Sequence, residues 1–199
     1  MKKQKIDIIR DQGSNVPIAG IVTDGAPFPD YMPPSWDAWF MGMVYDTARK
    51  SKDPSTKIGA VIVKDKRPIL FGYNGLPQKV KDLPERMQAP IKYKWTEHGE
   101  RNAIFCGARF GIATEGTTIY TQSMPCCECA RAIVNSGISK VIIHKQSNDI
   151  FYFSNRENNV WTDDLAISTT MFKEAGVEVV TLNLPLGKWS FVGKKVYVV

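Results

Sequence analysis

The sequence predicts an α/β fold, a three-layer α-β-α sandwich around a mixed five-stranded sheet. Three observations carry that expectation. After an initial hairpin, apolar strands alternate with amphipathic helices, which makes a sheet covered on both faces. The hairpin adds antiparallel pairing to an otherwise parallel order. Residues able to hold a metal fall at the starts of two helices that each follow a chain crossing, where open α/β sheets place their ligands. With 199 residues the chain can bury a full core as one domain.

Residues 1–33 are rich in turn formers (Pro17, Gly20, Gly25, Pro27, Pro29, Pro33) and show no helical period, so they read as an extended arm over the core or against a neighbouring subunit. The folded domain then occupies 34–184, with 185–199 as a tail packed on it. Trp36, Phe40, Met43, Val44 and Ala48 recur at helical spacing, predicting a helix over 36–50 that Asp53-Pro54 breaks. Ile58–Val63 is a continuous apolar strand, Lys64–Arg67 a tight turn and Pro68–Tyr73 a second strand. Residues 74–95 form a polar loop, longer than loops usually are without a functional reason. Thr96 can cap a helix running to about Phe110, and Pro125 suits the first turn of a helix ending near Ser136. Thr118–Thr121, Lys140–His144 and Val177–Thr181 read as strands, 145–159 as a loop and Trp161–Ala175 as a helix. Trp189–Val199 is expected to add an edge strand.

Bulk properties exclude several classes. A composition 43% hydrophobic and 23% charged is that of an ordinary soluble globular protein. No apolar run approaches the ~20 residues of a membrane span. The N-terminus is basic but has no apolar core for a secretory signal. All four cysteines (Cys106, Cys126, Cys127, Cys129) lie in one stretch, which suits metal binding or free thiols and a reducing cytoplasm. The net charge of +6 is scattered, with Lys2, Lys3, Lys5 and Arg10 balanced by Asp7, Asp11, Asp24 and Asp30. The excess therefore reads either as a mild attraction for small anions such as nucleotides or as a solvated surface, and not as a nucleic-acid groove.

His98-Gly99-Glu100, followed by Pro125-Cys126-Cys127-Glu128-Cys129, fits the H-x-E…P-C-x-x-C pattern of zinc-dependent nucleobase deaminases. Cys126 and Cys129 are three apart, so at a helix start both sulfurs share one face, and the helix N-terminus favours thiolate. With His98 they make three protein ligands, the count of a catalytic zinc that keeps a fourth position open. Glu100 lies beside the metal as the proton shuttle. The bland alternative is a closed structural zinc with a fourth ligand from Cys127, Cys106 or His144. Cys127 would point roughly 100° around the helix from Cys126, and Cys106 would lie about 12 Å along the axis from His98.

Longer segments sharpen the match. Trp36–Gly42, Ser51–Val63, Gly72–Pro77, Lys92-Tyr93, His98–Ile104 and Pro125–Ile138 resemble the deoxycytidylate (dCMP) deaminase family of the cytidine-deaminase-like superfamily, over roughly residues 35–182. The resemblance implies Zn²⁺-dependent conversion of dCMP to dUMP in pyrimidine deoxynucleotide metabolism. It implies that Asn74 contacts sugar or base, unless it only makes an Asn-Gly turn. Ser51, Lys52, Ser55 and Thr56 are placed to reach the 5′-phosphate, although a solvated helix end explains Lys52 equally well. Backbone groups of Gly99, Met124 and Pro125 would hold the pyrimidine. Tyr93 and Trp95 either wall the base pocket or anchor the core.

The resemblance also implies a homo-oligomer, typically a hexamer, activated by dCTP with Mg²⁺ and inhibited by dTTP. Arg109 lies near a subunit contact in relatives, or serves as a cation near a helix C-terminus. Two departures stand out. Gly99 replaces the usual Ala, which suggests room for a C5-substituted base. Gln78-Lys79-Val80 replaces a Gly-containing loop, which bears on the allosteric site. Competing functions are deamination of a base in tRNA or single-stranded nucleic acid, and a non-catalytic zinc-stabilised assembly.

Overall fold

The computed structural model describes residues 6–10, 17–22, 33–154 and 160–199. They fall into two units that divide between Pro34 and Ser35. In the first, β1 (Ile6–Arg10) pairs antiparallel with β2 (Pro17–Val22). The rest of the expected arm lies outside the described residues.

The second unit opens with α1 (Trp36–Ala48), whose Ser35 cap accepts a hydrogen bond from the Ala38 N–H at 3.2 Å. Strands β3 (Gly59–Lys64) and β4 (Arg67–Tyr73) form the expected hairpin. Its turn residues Asp65 and Lys66 both have positive φ (48° and 59°), the geometry of a two-residue turn matched to strand twist. Then come α2 (Lys92–Trp95), α3 (Gly99–Phe110), β5 (Thr118–Thr121), α4 (Cys127–Asn135) and β6 (Lys140–His144). The chain closes with α5 (Lys145–Ser154), α6 (Val160–Glu174), β7 (Glu178–Leu182), β8 (Trp189–Val192) and β9 (Lys195–Val198).

The sheet runs in the order β4-β3-β5-β6-β7. β3 is antiparallel to both neighbours, while β5, β6 and β7 are parallel. Alternate residues of β3 feed two cores. Ala60 and Ile62 pack with Ala103 of α3, Ala130 and Ile133 of α4 and Phe172 of α6. Val61 and Val63 pack with Phe40, Met41, Val44 and Tyr45 of α1 on the other face. This is the predicted three-layer sandwich with its mixed five-stranded sheet.

Four local expectations are corrected. Thr96 does not cap α3: its hydroxyl bonds the Lys92 carbonyl at 2.8 Å, closing α2, and His98 is the cap residue. Pro125 precedes the α4 cap residue, Cys126, instead of entering the first turn. Residues 145–154, expected as loop, are α5. Trp189–Val199 adds no edge to the sheet; β8 and β9 form a separate antiparallel pair.

Gly72 sets how closely α3 approaches. A Cβ there would lie 2.2 Å from the Gly99 carbonyl oxygen and 2.3 Å from the Ala103 nitrogen, so no side chain fits between β4 and the first turns of α3. On the other face His144 is fully buried. Tyr45 donates to its Nδ1 at 2.6 Å, and its Nε2–H donates to the Leu184 carbonyl at 2.8 Å. This neutral ring is bonded on both sides, and burial lowers its pKa below the ordinary 6.5.

A base whose pKa falls on folding binds fewer protons when folded than when unfolded, so its contribution to stability shrinks as pH drops below 6.5. Urea midpoints measured from pH 8 to pH 5 are expected to fall less steeply in His144→Gln than in the wild type. Equal slopes would show that His144 does not contribute.

Candidate metal centre

The site is built on the N-terminal ends of two helices. His98 caps α3 and Cys126 caps α4, both with extended backbone (φ −79°, ψ 155° and φ −67°, ψ 169°). Each carbonyl makes the first helical bond, from Asn102 N–H at 2.9 Å and Ala130 N–H at 2.8 Å. The His98 ring bonds no group of its own helix as a cap residue usually would, and faces Cys126 and Cys129 instead. Cys129 follows three residues after Cys126 and is fully buried.

His98 Nδ1 lies 3.4 Å from Cys126 Sγ and 3.5 Å from Cys129 Sγ. The donor atoms of the three residues all lie within 4.8 Å of one another, and they are the sole such cluster among the described residues. One imidazole and two sulfurs suit Zn²⁺. A hydrogen bond from Cys129 holds the Cys126 thiol down to about 4, and the same bond together with burial pushes Cys129 up. The pair therefore favours one thiolate even without a cation.

Glu100, the second residue of α3, is 4% exposed. Its Oε1 accepts from Thr121 Oγ1 at 3.0 Å, and its Oε2 lies 3.6 Å from Cys129 Sγ. Burial raises the pKa of its carboxyl group. Arg101 joins the two helix starts, bonding Glu97 on one side and Glu128 on the other. Gly75 and Glu97 exchange backbone hydrogen bonds at 3.0 and 2.8 Å, fixing the end of β4 beside His98.

No other described residue completes a fourth protein ligand. Cys127 Sγ donates to Asp164 Oδ1 at 3.3 Å, Cys106 packs against the α3–α4 core, and His144 is bonded on the opposite face of the sheet. Three donors with no fourth among the described residues is the ligand count of an open site.

A pocket beside the donors is lined by Ser55, Thr56, Asn74, Gly99, Glu100 and Met124 among the expected residues. Ser51, Lys52 and Pro125 do not line it. The Ser51 hydroxyl donates to the Asn74 carbonyl at 2.7 Å, and Lys52 reaches outward to Asp82. The Asn74 amide bridges the loop backbone, accepting from Ile58 N–H at 2.9 Å and donating to Thr56 O at 2.8 Å. Met124 N–H donates to Asn148 Oδ1 at 2.9 Å. Arg109 is exposed and bonds Gln78. Neither Tyr93 nor Trp95 anchors the core: Tyr93 lines the pocket mouth, and Trp95 lies on the surface with Arg86 over its ring at 4.3 Å.

The pocket also has residues that sequence reasoning did not place there. Lys92, buried, binds both Asp53 carboxylate oxygens at 3.0 and 2.9 Å. Ser123 and Leu165 line it as well, as does Phe151 from α5. The Lys-Tyr pair before His98 was the available signal for Lys92; the partner of a buried lysine is not readable from spacing.

The three donors with one buried carboxylate beside them are a group that suits a zinc ion. The chain belongs to the cytidine and deoxycytidylate deaminase family, whose zinc-binding region matches residues 34–145. It is 39% identical over 153 residues to an uncharacterised deaminase encoded near luxG in Aliivibrio fischeri, covering 77% of this chain and 97% of that protein. It is 32% identical over 155 residues to the deoxycytidylate deaminase of Homo sapiens, covering 74% and 79%. The dCMP deaminase of cyanophage S-TIM5, solved with dCMP and dUMP, shares the fold at a TM-score of 0.55 and 21% identity, covering 76% of this chain and all of that one. Among the described residues no helix is long and apolar enough to cross a membrane.

Removing a ligand thiol and removing its neighbour have opposite expected results. Cys129→Ala is expected to lose bound zinc and Cys127→Ala to keep it, as read by metal content of the purified proteins. Zinc retained in Cys129→Ala would remove Cys129 from the ligand set.

Proposed function

We propose that the protein catalyses the hydrolytic deamination of dCMP, which with water gives dUMP and ammonia, in cytoplasmic deoxynucleotide metabolism. The observation that carries this reading is Glu100: a buried carboxylate set beside the three donors, held by Thr121, which a purely structural zinc would not need. Relatives that act on deoxycytidylate supply the substrate class.

His98, Cys126 and Cys129 would hold the ion, and bound Zn²⁺ supplies Lewis acidity that makes water nucleophilic near neutral pH. Glu100 takes a proton from the attacking water, delivers it to the ring nitrogen and then assists the departure of ammonia. Thr121 keeps Oε1 oriented for that transfer. Ser55, Thr56 and Asn74 form the polar wall proposed to receive sugar and phosphate, with Ser51 and Lys52 supporting the loop from behind. Gly99 and Met124 contribute backbone near the base, next to Pro125.

Family resemblance supports a homo-oligomer, with exposed Arg109 available for a subunit contact. It supports dCTP–Mg²⁺ activation and dTTP inhibition less well, because Gln78, in the loop that departs from relatives, is engaged by Arg109. Gly99 gives no support to a widened C5 pocket. An added Cβ would meet the Ile58 carbonyl oxygen at 3.1 Å, so the missing methyl faces the backbone entering β3.

Ammonia release assayed with dCMP, cytidine and a single-stranded oligonucleotide tests the substrate class. Turnover is expected on dCMP, and Glu100→Gln is expected to lower kcat by about 10²-fold or more while retaining zinc. Turnover of the oligonucleotide alone would overturn the substrate assignment, and full activity in Glu100→Gln would overturn the mechanism.

The direction of the Gly99 Cβ has its own readout. A methyl intruding on a base pocket changes discrimination by roughly tenfold or more. Gly99→Ala is expected to leave the ratio of kcat/KM for 5-methyl-dCMP and dCMP within about twofold of the wild type. A selective loss on the 5-methyl substrate would place that methyl in the pocket after all.

A further inference from the structure

One wall of the pocket is the loop between α1 and β3, which carries Asp53, Ser55, Thr56 and Ile58. It is ordered from within by Asp53, whose Oδ1 accepts from Ser55 N–H and Oγ at 2.8 Å each and from Thr56 N–H at 3.0 Å. It is also held from outside, by the C-terminal hairpin. Lys57 N–H donates to the Phe191 carbonyl at 2.9 Å, and Lys194 N–H donates to the Ser55 carbonyl at 2.8 Å. Gly193 N–H donates to Thr56 Oγ1 at 3.2 Å. All three residues that receive or give these bonds on the loop, Ser55, Thr56 and Lys57, lie within or next to the pocket lining.

The hairpin has a footing of its own. Ser190 is fully buried and bonds Ser147 of α5 at 3.1 Å, and Val192 is 1% exposed. Val199 packs in the α1-side core and exchanges backbone hydrogen bonds with Lys188 at 2.9 and 3.1 Å. The tip is a Gly193-Lys194 turn with φ of 59° and 65°, and its two successive N–H groups are the ones that reach the loop. A side chain at the first of these positions would be strained, whereas glycine is not.

We propose that the β8–β9 hairpin is a positioning element of the active site, its Gly193-Lys194 turn holding Ser55 and Thr56 in place for the substrate. Among the described residues none of its hydrogen bonds reaches His98, Cys126, Cys129 or Glu100, so it acts on binding and not on the chemical step. The kinetic consequence rests on the proposed dCMP reading; the structural one does not.

Gly193→Val strains the turn without touching the pocket. Hydrogen exchange of amides in 53–58 is expected to accelerate up to about tenfold, the worth of one or two backbone bonds, while β5 and β6 keep their protection. KM for dCMP is expected to rise several-fold with kcat within about twofold and zinc content unchanged. Lys194→Gly keeps the N–H and suits the backbone, so exchange in 53–58 should not change. The reciprocal pair reads the same contact from the loop: Thr56→Val should speed exchange at 193–194, and Thr56→Ser should restore it. Unchanged exchange at 53–58 in Gly193→Val overturns the proposal. If that variant does not fold, unchanged exchange at 193–194 in Thr56→Val overturns it. A wild type inactive on dCMP would instead sink the substrate reading, with exchange still deciding the role of the hairpin.

Discussion

The close approach of α3 to β4 at Gly72 is the constraint on which the site depends. Backbone packs on backbone there, with Gly99 and Ala103 on the helix side. That contact places the first turn of α3 at the edge of the sheet, with His98 at its cap and Glu100 one residue inside. β5 then ends beside it, so that Thr121 can reach the Glu100 carboxylate and the chain can turn into α4 with Cys126 at the cap. A wider spacing would carry His98 and Glu100 away from the sulfurs together.

Cap positions solve a second problem. A helix start presents unpaired N–H groups and a partial positive charge, which favour a thiolate and usually recruit a polar side chain. Here the His98 side chain turns from its own helix to the sulfurs, while Cys126 meets both His98 and Cys129 of its own helix, and the donor cluster forms where the two helix starts face each other. Burying Glu100 is a further cost, because a carboxylate removed from water needs partners. Thr121 supplies one, and the cluster places the other oxygen next to Cys129. The neighbouring Glu97–Arg101–Glu128 chain ties the two helix starts together, with Glu97 and Arg101 partly buried and Glu128 at its exposed end.

What was readable from the sequence was what is short-range. His98, Cys126 and Cys129 announce themselves through spacing, because three ligands on two helix starts need only a few residues each. The strands Ile58–Val63, Thr118–Thr121 and Lys140–His144 are largely buried, and their apolar centres (Ala60–Val63, Ile119-Tyr120 and Val141–Ile143) mark them in the sequence. The sequence hides α5 because Lys145–Asp149 is polar and rich in residues that favour turns, and its inward-facing side chains include a serine, Ser147, beside Ile150 and Phe151. The direction of the missing Gly99 methyl depends on how α3 is rotated against Ile58, which no single sequence encodes. The buried Lys92–Asp53 pair spans 39 positions, and a lysine between Ile91 and Tyr93 gives no hint that its ammonium is enclosed.

The two halves of the pocket are built from different material. The reacting side sits on helix starts and a central strand, elements whose positions are fixed by packing on both faces of the sheet. The substrate side is a loop, and a loop lacks a ladder of its own. Asp53 supplies internal bonds to that loop and a buried tie to Lys92 in α2, while the Phe191 carbonyl gives it a single strand-like bridge. Order in the substrate wall therefore comes from segments far along the chain, α2 and the C-terminal hairpin, and not from the sheet that orders the metal ligands. Changes in the hairpin reach the loop first, because its three hydrogen bonds to the loop are direct, whereas its link to the donor side runs through Ser147 of α5 and the neighbouring Asn148, which holds Met124 two residues before Cys126.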